Sequence, residues 1–178
     1  MRVDETVTYL EMTDRGQLRP VAGPPLEIRR AEIPCPELNR FLYTAVGGRW
    51  RWTDRLGWTY AQWLAMLSRP GFETWVAYVR GTPAGYFELD GPAGGDVEIA
   101  SFGLLPAMVG QGLGGRLLTL TIERAWDKAA ARVWLHTSSL DHPRALPNYL
   151  ARGFCITRAE TFSKEVPDEP LGPWPGAE

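Results

Sequence analysis

DVEIASFGLLPAMVGQGLGGRLLTLTIERAWD, residues Asp96 to Asp127, sets a buried strand, a glycine loop and an amphipathic helix end to end. Val97 to Leu105 is a near-continuous apolar run, the pattern of a strand covered on both faces. Pro106 ends it, because proline cannot donate into a ladder. After the loop, Leu113, Leu117 and Leu120 recur at spacings of four and three, and Leu118, Ile122, Ala125, Trp126 and Ala129 widen the buried side of a helix. Free N–H groups in the first turn and the positive end of the helix dipole favour an anion such as phosphate.

Three kinds of loop use this device. Gly110 to Gly115 gives the GxxxxG of a Walker A loop, but Arg116-Leu117 follow where lysine and a hydroxyl residue are required. Gly110, Gly112 and Gly115 match GxGxxG literally, yet only 63 residues (178 − 115) remain for the rest of a dinucleotide-binding sheet. The third kind is motif A of the GNAT N-acetyltransferases, [RQ]xxGx[GA], which Val109-Gly110-Gln111-Gly112-Leu113-Gly114 resembles, with valine in place of Arg or Gln. A second segment, His142, Ala145, Tyr149, Gly153 and Phe154, is similar to the family pattern NxxAxxxYxxxGF, with His142 replacing asparagine.

Composition bounds the answer. With 178 residues, 44% hydrophobic and 22% charged, the chain fits one globular domain. No long apolar run spans a membrane, and the acidic, alternating N-terminus is not a signal peptide. A cytoplasmic enzyme-like domain is expected. Cys35 and Cys155 make no disulfide framework, two histidines make a metal site unexpected, and a net charge of −2 argues against nucleic acid.

In order, Thr6–Met12 and Leu26–Ala31 read as strands, and Pro36 opens a helix carrying Leu38, Phe41, Leu42 and Ala45. Thr53 or Thr59 caps a second helix ending at Leu67. Trp75–Val79 and Ala84–Leu89 form a hairpin leading to the central strand. Arg132–Thr137 is another strand. Asp141-His142-Pro143 starts a helix that Pro147 should kink or shorten, and Phe154–Phe162 is a last strand. The expected boundaries are a domain over 1–162 and a Pro-rich, disordered tail over 163–178. Counted with one strand before the first helix, the order β, α, α, β, β, β, α, β, α, β is that of the GNAT fold. It implies a single-domain α/β architecture, a mixed central sheet flanked by helices, with splayed central strands.

The resemblance implies transfer of an acetyl group from acetyl-CoA directly to an amine, without metal. Val109 to Gly115 (Val109, Gly110, Gln111, Gly112, Leu113, Gly114, Gly115) and His142 would hold the cofactor. Leu104 and Leu105 would pair with its pantetheine arm, and the Leu104 N–H would steady the oxyanion. Tyr149 falls where family members carry the tyrosine that protonates the sulfur.

An alkylammonium is neutral only about once in 2,500 molecules at pH 7, so a base is useful. Glu98, eleven residues before the motif, has the spacing of the base glutamate in histone-type members of the family that the chain resembles, and Glu88 is the alternative. Simple alternation puts Glu98, Ala100, Phe102 and Leu104 on one face. Trp50, Trp52, Asp54 and Trp58, in RWRWTDRLGWTYAQW, suit a cationic small-molecule acceptor, or else the tryptophans pack two short helices onto the sheet. A homodimer is common in the family. The alternatives are a non-catalytic acyl-CoA sensor and a protein amine as acceptor.

Overall fold

A computed structural model describes residues 1–168. Along the chain come β1 (Arg2–Met12), β2 (Glu27–Ala31), α1 (Pro36–Gly47), α2 (Tyr60–Leu67), β3 (Glu73–Val79), β4 (Thr82–Asp90) and β5 (Asp96–Leu104). Then follow α3 (Leu113–Asp127), β6 (Arg132–Ser138), α4 (Ala145–Ala151) and β7 (Cys155–Glu165). The seven strands form one mixed sheet in the order β2-β3-β4-β5-β6-β1-β7. Every neighbouring pair is antiparallel except β5 and β6.

That parallel pair is short. Asp96, Val97 and Glu98 lie opposite Arg132, Val133 and Trp134, and beyond them the two strands part, as the resemblance implies. Helix α3 buries Leu117, Leu118, Ile122 and Ala125 against Val97, Ile99, Phe87 and Val133 on one face of the sheet. Each such leucine or isoleucine contributes about 1.5–3 kcal/mol by leaving water. On the other face, Leu42 and Val46 of α1 meet Val76 and Tyr86. The α1 stripe, Asn39, Leu42, Tyr43 and Val46, follows the three–four spacing of a helix with one buried side.

The central strand departs from simple alternation. Glu88 pairs with Ser101 and Leu89 with Ile99, so Ala100 is the extra residue of a β-bulge. The bulge returns Phe102 and Leu104 to the α3 face with Val97 and Ile99, while Glu98 keeps the α1 face with Ser101. Gly103 also faces α1: a Cβ there would lie 2.4 Å from Val46 Cγ1. The expectation that Glu98, Phe102 and Leu104 share a face is therefore corrected.

Other boundaries move as well. Thr59, not Thr53, caps α2, its side chain accepting from Gln62 N–H. The last helix begins at Ala145 because the Asp141 carboxylate serves elsewhere, accepting from Thr137 Oγ1, Ser138 N–H and Trp52 Nε1. That late start leaves Pro147 in the first turn, where its missing N–H costs nothing, so α4 is short rather than broken. Strand β7 runs three residues past Phe162, and Val166 is buried, so the start of the expected tail belongs to the domain. Antiparallel pairing with Arg2–Asp4 holds Ser163–Glu165 in the sheet. The rest of that expectation, 169–178, lies outside the described residues. No helix among the described residues is long and apolar enough to cross a membrane.

Candidate active site

Where β5 and β6 part, a cavity of about 1090 Å³ opens through the sheet, room for a large cofactor and an acceptor together. One half is lined by Phe102, Gly103, Leu104, the Val109–Gly115 loop and α4. The other is lined by Glu98, His136, Trp50, Trp52, Asp54 and residues of β1.

The first half is built from backbone. Leu105 N–H donates to Ala84 O in β4, so the alternation of a strand turns the amide and carbonyl of Leu104 toward the gap. Gly110 and Gly112 have φ of 86° and 78°, the left-handed region in which a side chain is strained. Gly112 is also the N-cap of α3, and no side chain caps the first-turn amides. Those donors stand at the cavity, where an anionic group would satisfy them. Val109, Gly110, Gly112, Gly114 and Gly115 line it; Gln111 and Leu113 do not. Gln111 Nε2 donates to Ala107 O and closes the loop, while Leu113 is a core residue. Leu105 also lies outside, packed toward Val76 and Tyr86.

Tyr149 reaches this half from α4. Its ring meets Phe102 edge-on at 6.0 Å and Phe154 at 6.2 Å, which fixes its position. Burial, and then the nearby Asp141 carboxylate, push its phenol well above the ordinary value, so it stays protonated at any physiological pH. Asn148, one residue earlier, lines the cavity and donates to Gly114 O at 3.3 Å, tying α4 to the loop. The sequence reading passed over it.

The second half is polar and carries acidic groups. Glu98 Oε1 lies 3.4 Å from His136 Nδ1, and that contact holds the imidazole above its ordinary value. His136 sits between Tyr9, with ring centroids 5.8 Å apart, and Trp134 at 6.4 Å. Glu5 is buried; its Oε1 accepts from Ser138 Oγ at 2.6 Å, and Lys164 Nζ lies 3.5 Å from Oε2 and 3.1 Å from Asp54. Sequence reading missed His136, Glu5, Tyr9 and Lys164. The first is one of two histidines and sits on a strand beside Glu98, a signal available in principle. The others depend on β1 and β7 reaching the cavity, which no local pattern shows.

The tryptophans divide. Trp50 and Trp52 line the cavity. Trp50 meets the His142 ring edge-on at 5.0 Å, and Trp52 Nε1 donates to Asp141. Trp58 is not at the cavity, which corrects its expected role. It packs on Trp63 at 5.5 Å and against the Arg55 guanidinium at 5.6 Å. Arg55 in turn pairs with Glu88, which is fully buried and also accepts from Asn39 and Ser101. With both oxygens engaged and no exposure, Glu88 is an anchor for the Trp-rich loop rather than a base. His142 lines the cavity from the turn before α4, its Nδ1 accepting from Arg144 N–H.

Comparison with known proteins assigns the family. The model of the acetyltransferase (GNAT) family matches residues 28–154, and the chain belongs to that family. No curated protein matches it. Among solved structures, a GCN5-related N-acetyltransferase from Sphaerobacter thermophilus superposes with TM-score 0.64 at 18% identity, over 89% of this chain and 50% of that one. A GCN5-related N-acetyltransferase from Kribbella flavida gives 0.62 at 17% identity, over 91% and 58%. An aminoglycoside acetyltransferase from an uncultured soil metagenomic sample gives 0.56 at 16%, over 71% and 86%. At these identities the likeness is one of fold, and the chain spans only 50–63% of the first structures it resembles.

Proposed function

We propose that this chain moves an acetyl group from acetyl-CoA directly to the amine of a small cationic molecule. The observation that carries the proposal is a single cavity with two chemically opposite ends. Uncapped α3 amides and the open edge of β5 suit a pyrophosphate and an extended amide-bearing arm. Glu98 and Asp54, with two tryptophan rings, suit an ammonium. The cofactor would be held by the Val109–Gly115 backbone, by Leu104 and by Asn148, and it supplies the activated acetyl thioester. Tyr149 offers a protonated phenol to the departing sulfur. Glu98 provides the carboxylate on the amine side. Acceptance of an aminoglycoside or another polyamine would fit the acidic groups around Asp54.

The test is release of free coenzyme A from acetyl-CoA across a panel of amino acids, diamines, polyamines, aminoglycosides and a lysine peptide. Turnover on small polycations is expected. Tight acetyl-CoA binding with no turnover on any amine would replace this reading with an acyl-CoA sensor, and turnover on the peptide alone would replace the acceptor class.

A further inference from the structure

Glu98 is not alone where the central strands part. It faces His136 from the adjacent strand, two residues beyond the point where the β5–β6 ladder ends, and both line the cavity. The pairing assigns the two ring nitrogens different work. Nδ1, beside the carboxylate, is the position for the N–H donor; Nε2 is then left with the lone pair of a neutral imidazole. Glu98 Oε1 is engaged by that contact, while among the described residues Nε2 has no hydrogen-bond partner, so the pairing leaves the histidine a second proton acceptor at the cavity.

We infer that His136 takes the proton from the acceptor ammonium, with Glu98 acting through it as a positioning residue. The inference rests on the acetyl-transfer reading above. A proton passes from the ammonium to Nε2, leaving a neutral amine and an imidazolium steadied by Glu98. The amine lone pair forms the C–N bond to the acetyl carbon while the C–S bond breaks. The sulfur leaves with its electron pair and takes the Tyr149 phenol proton, the second nitrogen proton restores that phenol as the amide forms, and the imidazolium gives its proton to solvent. The groups that set the charge of His136 are Glu98 from β5, Tyr9 from β1 with the Arg158 guanidinium of β7 stacked on it at 3.8 Å, Asp141 after β6, and Asp54 from the Trp-rich loop. Lys164 already pairs with Asp54 and Arg158 stacks on Tyr9, so the direct contact with Glu98 decides the direction, against the opposing effect of burial. Loss of the proton therefore requires a higher pH than for a free imidazole, and the reaction should run on the alkaline limb.

Two measurements test this on the full chain. In ¹H–¹⁵N spectra only two imidazoles, His136 and His142, contribute, and H142Q assigns them. His136 should titrate above the ordinary value of about 6.5, and E98Q should bring its midpoint back toward it. With acetyl-CoA and an amine that the wild type acetylates, kcat/KM should rise with pH through that same midpoint. H136Q should lower kcat by about 10²–10⁴, leave the acetyl-CoA KM unchanged and flatten that limb. E98Q should shift the limb to lower pH. Turnover by H136Q with the wild-type kcat and pH profile overturns the inference, as does a His136 midpoint indifferent to E98Q. Absence of turnover by the wild type on every amine overturns the transfer reading together with it.

Discussion

At the scale of single residues the site rests on groups whose charge state is set by their neighbours. Tyr149→Phe keeps the ring that meets Phe102 and Phe154, so folding and acetyl-CoA affinity should hold. Its kcat should fall by about 10²–10⁴ if the phenol supplies the proton, as steady-state assays would show. The Glu98–His136 contact also couples stability to pH. An imidazole whose midpoint is raised in the folded state stabilises the fold fully below its unfolded value, and that stability is lost as pH rises through the folded one. Urea midpoints should therefore fall between about pH 6.5 and the raised midpoint in wild type, and E98Q should lessen that fall. That Glu98 lies at the cavity could be read from the sequence because its spacing to the glycine loop is local. The same could not be read for His136, because its partner is thirty-eight residues away (136 − 98) and only the end of a ladder shows that they meet.

Elements carry the next level. The loop from Trp50 to Thr59 has little regular structure, and it is fixed by Arg55 reaching the buried Glu88 and by Trp52 reaching Asp141. Arg55→Met leaves a buried carboxylate without its cation and should cost about 3–5 kcal/mol in chemical unfolding. A double Arg55→Met, Glu88→Leu variant should recover much of that loss. Trp58→Ala, at a half-buried position, should destabilise by roughly 1–3 kcal/mol with little change in KM for the amine, the signature of a packing residue. Trp50→Ala should do the reverse. For the loop before α3, Gly112→Asp adds bulk and negative charge at a left-handed position, and acetyl-CoA should then no longer raise the melting temperature. This strand–loop–helix unit could be read from sequence because its strand, turn glycines and helix stripe are all contiguous. The bulge at Ala100 could not. Nothing in Ala100 itself marks an inserted residue, and the register is set by its partner Glu88, whose place is fixed by Asn39 and Arg55.

Across the whole molecule, the order of elements from β2 to β7 followed from local patterns, and the one surprise was position. β1 was expected as a strand but lies inside the sheet, paired with β6 on one side and β7 on the other. From there it places Glu5, Val7 and Tyr9 in the cavity wall. Pairing across more than a hundred residues leaves no trace in hydrophobic periodicity. Thr8→Pro, which removes a ladder donor from a strand flanked on both sides, should lower stability by about 3 kcal/mol or more in denaturant titration.

The same placement bears on synthesis. A nascent chain makes β1 long before either flanking strand exists. From Met12 to Ser138 is 126 residues (138 − 12), so at ribosomal speeds of about 5–20 residues per second the strand waits roughly 6–25 s for a partner. Through that interval Val7, Leu10 and Met12, all buried in the finished protein, are open to a chaperone or to another nascent chain. The Val109–Gly115 loop is synthesised before β6 and β7, the two strands that hold Glu5, Val7 and Tyr9 in the cavity wall, so the two halves of the cavity are laid down at different times.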